Sequence, residues 1–201
     1  MKKVTILFLL LCVGITANAQ NFSFGFKGGY NLAGIQGDNS NGFKMRHGIH
    51  LGAVAEFELA SNFSIQPELM YSQQGANNNA IFIFSEFPLL EGELEARYNF
   101  INLPIMAKYY IVKGLSIELG PQIGFLLSAE QREEGQIIDV KDRIKSIDFG
   151  VNFGIAYKFS NGLNFGVRYN AGLSNINDVS GFTDKNRYGV AQLSIGYFLR
   201  K

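Results

Sequence analysis

Between Ile147 and Leu173 every second side chain is apolar, and that period decides what the stretch folds into. Ile147, Phe149, Val151, Phe153, Ile155, Tyr157 and Phe159 alternate with Asp148, Gly150, Asn152, Gly154, Ala156 and Lys158. After Ser160-Asn161-Gly162 the pattern resumes as Leu163, Phe165, Val167, Tyr169, Ala171 and Leu173, interleaved with Asn164, Gly166, Arg168, Asn170 and Gly172. Residues two apart share one face of a strand, so each run predicts a strand with an apolar and a polar face. The short link between them predicts a tight hairpin.

The alternation recurs along the chain. Phe22 to Leu32, Ile49 to Leu59, Phe63 to Tyr71, about Tyr98 to Ile111, Leu115 to Leu127 and Leu193 to Leu199 bring the expected strands to eight. The links alternate as well: residues 60–62, 112–114 and 160–162 are tight, whereas 33–47, 75–97, 128–144 and 175–186 are long. Short turns at one end and long loops at the other are the pattern of an outer-membrane barrel, with the short turns in the periplasm. The expected fold is all-β: an eight-stranded antiparallel up-and-down transmembrane β-barrel.

A soluble eight-stranded barrel of the lipocalin type shows the same period with its faces exchanged. The glycines discriminate. Gly25, Gly29, Gly52, Gly120, Gly124, Gly150, Gly154, Gly166, Gly172 and Gly196 all fall on the polar face. Glycine within a strand is destabilising unless the space around it is crowded, and the inside of a narrow barrel is crowded. The polar face is therefore expected inside and the apolar face against lipid. Tyr30, Tyr71, Tyr98, Phe125 and Tyr169 then form an aromatic girdle toward the long loops. Phe57, Phe63, Tyr109, Tyr157, Phe159, Phe165 and Tyr197 form a second toward the turns. Pro67, Pro104 and Pro121 each remove a ladder donor, for which local bulges are the expected accommodation.

Met1-Lys2-Lys3, the apolar run from Val4 to Thr16 and Ala17-Asn18-Ala19 have the three parts of a secretory signal peptide cleaved after Ala19. The apolar run falls short of the roughly 20 residues of a membrane-spanning helix. The single cysteine, Cys12, leaves with that peptide and lacks the small residue before it that lipid attachment would need. Residues 20–201 are then one barrel domain. A net charge of +1 implies no nucleic-acid partner.

The chain resembles the outer-membrane β-barrel family abundant in Bacteroidetes, labelled porin-like or PorT-like, with a barrel of the OmpA/OmpX type. The likeness rests on Phe24-Gly25-Phe26-Lys27-Gly28-Gly29-Tyr30-Asn31, on Ile101-Asn102-Leu103-Pro104-Ile105-Met106-Ala107-Lys108-Tyr109-Tyr110 and on Gln192-Leu193-Ser194-Ile195-Gly196-Tyr197. It implies location in the outer membrane and no defined activity. One departure is the ending Leu199-Arg200-Lys201, where many such barrels end on an aromatic residue.

Counting outward from the turns pairs Ile111 with Leu115 and Lys108 with Glu118, and brings Lys27, Glu56, Glu68 and Arg168 to a comparable height inside. Three cations and three carboxylates in a narrow lumen must pair, because an unpartnered buried charge is too costly. This layer is read as a salt-bridged plug, with a selectivity constriction or proton path as the functional alternative. Catalysis finds little support: His47 and His50 are the only histidines, Ser40 is the nearest upstream serine, and no nucleophile motif flanks them. Glu130, Glu133, Glu134, Asp139 and Asp142 are interspersed with Arg132, Lys141, Arg143 and Lys145 and lack calcium-loop spacing. No catalytic, cofactor or metal site is expected.

The second long loop is unusual for a surface segment, with apolar Ile81, Phe82, Ile83, Phe84, Phe87, Leu89 and Leu90. Exposed apolar patches mark binding sites, so this is the candidate partner-binding loop, packing over the barrel mouth being the alternative. Expected partners are outer-membrane lipid or lipopolysaccharide and a surface protein or ligand at the external loops. The leading expectation is a closed, non-enzymatic barrel acting through those loops. A narrow channel for small solutes and a lipid-modifying enzyme are the alternatives.

Overall fold

The computed structural model describes residues 22–37, 43–78, 94–133, 136–176 and 185–199. The expected signal peptide and the candidate partner-binding segment from Ile81 to Leu90 lie outside these residues. The strands are β1 (Phe22–Gly37), β2 (Phe43–Ala60), β3 (Phe63–Asn78), β4 (Leu94–Val112), β5 (Leu115–Glu133), β6 (Gln136–Asp139), β7 (Ile147–Lys158), β8 (Leu163–Gly172) and β9 (Asn186–Leu199). The sheet runs β4-β3-β2-β1-β9-β8-β7-β5, and pairing of β4 with β5 closes it into an eight-stranded antiparallel barrel. The ninth strand, β6, folds back on the end of β5, with Glu130 opposite Asp139 and Glu133 opposite Gln136.

The faces are arranged as the glycines demand. Glu56 is 0% and Lys108 1% exposed, whereas Phe26 is 58% exposed and Leu51, Leu119, Phe153, Val167 and Leu193 are also turned outward. Such a chain is inside-out for water, and only a hydrocarbon exterior makes the apolar wall stable. Closure pairs the ladder around the barrel and leaves no open edge in lipid. The crowding is explicit at Gly52, where a Cβ would meet the Leu69 carbonyl and lie 2.7 Å from the Met70 sulfur. The tight turns use left-handed backbone at Gly114 (φ 87°) and Gly162 (φ 96°).

A tilted strand crosses a bilayer in roughly 9–11 residues. β4 and β5 have 19 residues each and β2 has 18, so their long-loop ends stand clear of the apolar band. Much of what reads as loop is therefore strand: β3 continues to Asn78, β4 starts at Leu94, and β5 reaches Glu133 before turning back. The polar composition of these extensions hides them, because outside the membrane neither face needs to be apolar.

Three local expectations are corrected. Tyr98 does not join the outer girdle; it shares parity with Phe100, Met106 and Lys108 and is buried inside. Ile111 does not face Leu115; a register shift between Tyr110 and Val112 pairs Val112 with Leu115, yet Lys108 still lies opposite Glu118. Nor do bulges form at the prolines. Pro67 pairs with Ile105, Pro104 with Gln122 and Pro121 with Val151 in unbroken register. The register shifts fall at Met45/His50, Glu58/Ala60, Asn99/Phe100 and Tyr110/Val112.

Candidate functional site

The barrel interior concentrates the charged and titratable side chains, and strand parity puts them there. Glu68 accepts both guanidinium nitrogens of Arg168, each at 2.9 Å, and the Lys27 ammonium at 2.7 Å. Lys27 reaches Glu68 across β2 because its partner on that strand is Gly52, which carries no side chain. Arg168 also donates to Glu118 at 2.8 Å. Lys108 lies 3.4 Å from Glu118 and 3.8 Å from Glu56, and donates to Gln66 at 3.0 Å. Lys158 closes the chain on Glu56 at 2.7 Å, and the Tyr110 hydroxyl donates to the same carboxylate.

The result is one path of alternating sign, Lys27–Glu68–Arg168–Glu118–Lys108–Glu56–Lys158, drawing one residue from each of β1, β3, β8, β5, β4, β2 and β7. All six lumen residues singled out in the sequence meet in it. Lys158 is the member that counting rungs misses. It lies at the turn end of β7, but its four methylenes let the ammonium reach the Glu56 carboxylate. The path is a fitting use of Arg168, whose planar fork can serve two carboxylates at once.

Above this layer lies an amide tier: Asn152 donates to Gln122 at 3.1 Å, and Asn170 donates to Asn152 at 3.2 Å. Higher still the lumen turns apolar. Tyr98, Phe100 and Tyr188 pack edge to face, with ring centroids 5.6 to 5.8 Å apart. Val140 and Ile144 enter the same cluster from the link between β6 and β7, which turns inward, together with Ile35, Leu126 and Ile176. The link is held by Val140 N–H to Ala129 O, Leu126 N–H to Ser146 O and Lys145 N–H to Ile176 O.

The two histidines part company. His47 lies on the outer face and hydrogen-bonds the Tyr30 hydroxyl. His50 is inside, 2% exposed. Asn31 Nδ2 donates to Ile49 O, Ser72 Oγ and Gln73 O, which turns its Oδ1 toward His50 Nδ1 at 2.7 Å. The Nδ1 proton is thereby placed, leaving Nε2 to accept from Ser194 Oγ at 2.9 Å. Serine, imidazole and an orienting amide in that order are the ingredients of an acyl-transfer nucleophile. Ser40, the serine nearest His50 on its N-terminal side, lies outside the described residues. Catalysis also needs room for a carbonyl about 3 Å from the hydroxyl. Ser194 is 7% exposed, and it lines neither the turn-end cavity nor the two grooves of the lipid face. What the chain of bonds does is join β9, β2 and β1. Among the described residues, no three His, Cys, Asp or Glu side chains gather to hold a metal ion.

A closed antiparallel barrel with an apolar wall and a charged interior defines a transmembrane β-barrel protein of the outer membrane. Residues 18–178 match the family described as outer membrane protein beta-barrel domain, and the chain belongs to that family. The fold is shared with solved barrels of low identity. Ail, the attachment invasion locus protein of Yersinia pestis, is 14% identical with a TM-score of 0.53, covering 90% of this chain and 100% of its own. Neisserial surface protein A is 16% identical with a TM-score of 0.54, over the same shares. A major outer membrane protein of Thermus thermophilus is 10% identical with a TM-score of 0.54, again over 90% and 100%. No curated protein matches the chain.

Proposed function

We propose that this protein is a non-conducting, non-enzymatic outer-membrane barrel that acts through its external surface. The observation that carries this reading is the doubly obstructed lumen: a continuous ion-pair layer from Lys27 to Lys158, and above it the apolar cluster around Tyr98, Phe100 and Tyr188. An ion would have to displace both, and eight strands leave only enough interior for side chains. Outside the membrane, by contrast, β6 presents Ile137 at 61% and Ile138 at 45% exposure and pairs only with β5 among the described residues. Unpaired strand edges and exposed isoleucines are features of a protein-binding surface. The sequence that links β3 to β4 is apolar as well, with Ile81, Phe82, Ile83, Phe84, Phe87, Leu89 and Leu90.

Within the family we place the chain among the porin-like, PorT-like barrels that its Phe24–Asn31 and Ile101–Tyr110 segments resemble, exported by residues 1–19 as a signal peptide. Planar-bilayer recording of the purified protein tests the closed reading. No steady opening is expected; a stable open state in the nanosiemens range refutes it and restores the narrow channel. Ail has been crystallised with the heparin analogue sucrose octasulfate, which makes a sulfated glycan one concrete ligand to assay at the external surface.

A further inference from the structure

The obstruction is one-sided. At the tight-turn end the lumen opens into a cavity of about 910 Å³, bordered by Glu58, Ser64, Tyr110, Lys113, Lys158 and Phe198 among others. That volume falls within the roughly 300–1,000 Å³ of small-molecule sites. Short turns of outer-membrane barrels face the periplasm, so this is a cup open to the periplasm and sealed above by the ion-pair layer.

Three features of the cup are unexplained by holding the barrel together. The first is a charge imbalance: the layer that forms its floor sets four cations, Lys27, Lys108, Lys158 and Arg168, against three carboxylates, Glu56, Glu68 and Glu118. Two further inward carboxylates among the described residues stand outside those pairs: Asp148 lies at the far end, beyond the amide tier, and Glu58 borders the cup. Glu58 is 3.9 Å from Lys158 but 43% exposed, so water screens it. Second, the surplus is directed. Lys158 is the most exposed cation of the layer, at 19%, and its ammonium is held 5.0 Å from the Phe198 ring and 5.7 Å from the Tyr110 ring, facing the cup. Lys113 adds a second ammonium at the rim. Third, Ser64 borders the cup, and its buried Oγ has no hydrogen-bond partner. An orphaned hydroxyl and the most exposed ammonium of the layer bordering one cavity are donors that an anion could use.

We infer that the periplasmic cup binds a compact anion, a carboxylate or phosphate group, through Lys158 with Ser64 and Lys113, its apolar remainder lying on Phe198 and Tyr110. The external role proposed above needs no such site, and the conductance result does not depend on it.

Titration calorimetry on the full chain in detergent tests this, with inorganic phosphate and acetate as free anions and dodecyl phosphate as a headgroup on an acyl chain, at constant ionic strength. Saturable one-site binding of at least one probe is expected. Losing one charge-assisted hydrogen bond weakens binding by roughly tenfold or more, which is the effect expected for Lys158→Met. Ser64→Ala and Lys113→Gln leave the ion-pair layer intact and are expected to weaken binding by a few-fold, so the test survives if Lys158→Met fails to fold. Lys141→Gln, at the opposite end, leaves binding unchanged. A preference for dodecyl phosphate identifies a lipid headgroup, and equal binding of inorganic phosphate identifies a free solute. Absence of saturable binding by all three probes, or binding that Lys158→Met, Ser64→Ala and Lys113→Gln all leave unaltered, overturns the inference.

Discussion

Glu68 is the carboxylate on which the lumen layer turns, and truncating it to Met gives a sharp test of how the charges are held. Glu68 serves two cations, but they are not equally dependent on it. Arg168 retains its 2.8 Å bond to Glu118 when Glu68 is removed. Lys27 forms its one ion pair of the layer with Glu68, and its side chain is only 9% exposed. Glu68→Met therefore strands an ammonium in the barrel. Leaving a buried charge without its partner costs roughly 3–5 kcal/mol. Adding Lys27→Met removes the stranded charge, so the double variant should regain most of that loss, with a coupling energy of about 2 kcal/mol or more between the two sites. The natural assay is urea unfolding in lipid vesicles, scored by the fraction that migrates as folded barrel in unheated gels and extrapolated linearly. A double variant that is no more stable than Glu68→Met alone refutes the reasoning. Lys27 would then be neutralised by something other than the carboxylate reached across Gly52, and the placement of β1 against β3 would be wrong.

Other substitutions probe the same interior. Lys108→Glu sets a carboxylate against Glu118 and Glu56 and should hinder folding; Glu118→Lys should restore it only in part, because the new ammonium meets Arg168, and full rescue in a refolding-yield assay would contradict the shared pairing of Glu118. Asp148 is buried, and its Oδ1 has no partner. Asp148→Asn keeps the shape and removes the charge, so it should raise the unfolding free energy by about 1–3 kcal/mol, and a loss in urea titration would show that the carboxylate is neutralised in place. Gly52→Ala drives a methyl against the Leu69 carbonyl and the Met70 sulfur on the path Lys27 takes. Overpacking of this kind costs about 1–3 kcal/mol, and an unchanged unfolding midpoint would mean that β2 and β3 separate more readily than their pairing indicates.

The local sequence determined which residues face inward, because a strand alternates its side chains by geometry alone and the glycines declare the crowded side. That suffices to place Lys27, Glu56, Glu68, Lys108, Glu118 and Arg168 in one lumen, whereas Lys108 stands opposite Glu118 through a register shift between Tyr110 and Val112 that the turn at residues 112–114 does not reveal. It could not say that Arg168 would bridge Glu68 and Glu118, or that Lys158 would reach Glu56. Those contacts join strands that are not neighbours in the chain and depend on how far long side chains extend across the closed barrel. Ser194 reaches His50 for the same reason, 144 residues away in sequence. The inward turn of Val140 and Ile144 was equally illegible: in a polar, charged link two apolar residues carry no period, and only the open mouth beside Tyr98 and Tyr188 gives them somewhere to be buried. Alternation told the chain to make a barrel; closing it brought distant side chains together and left one end sealed and the other a cup.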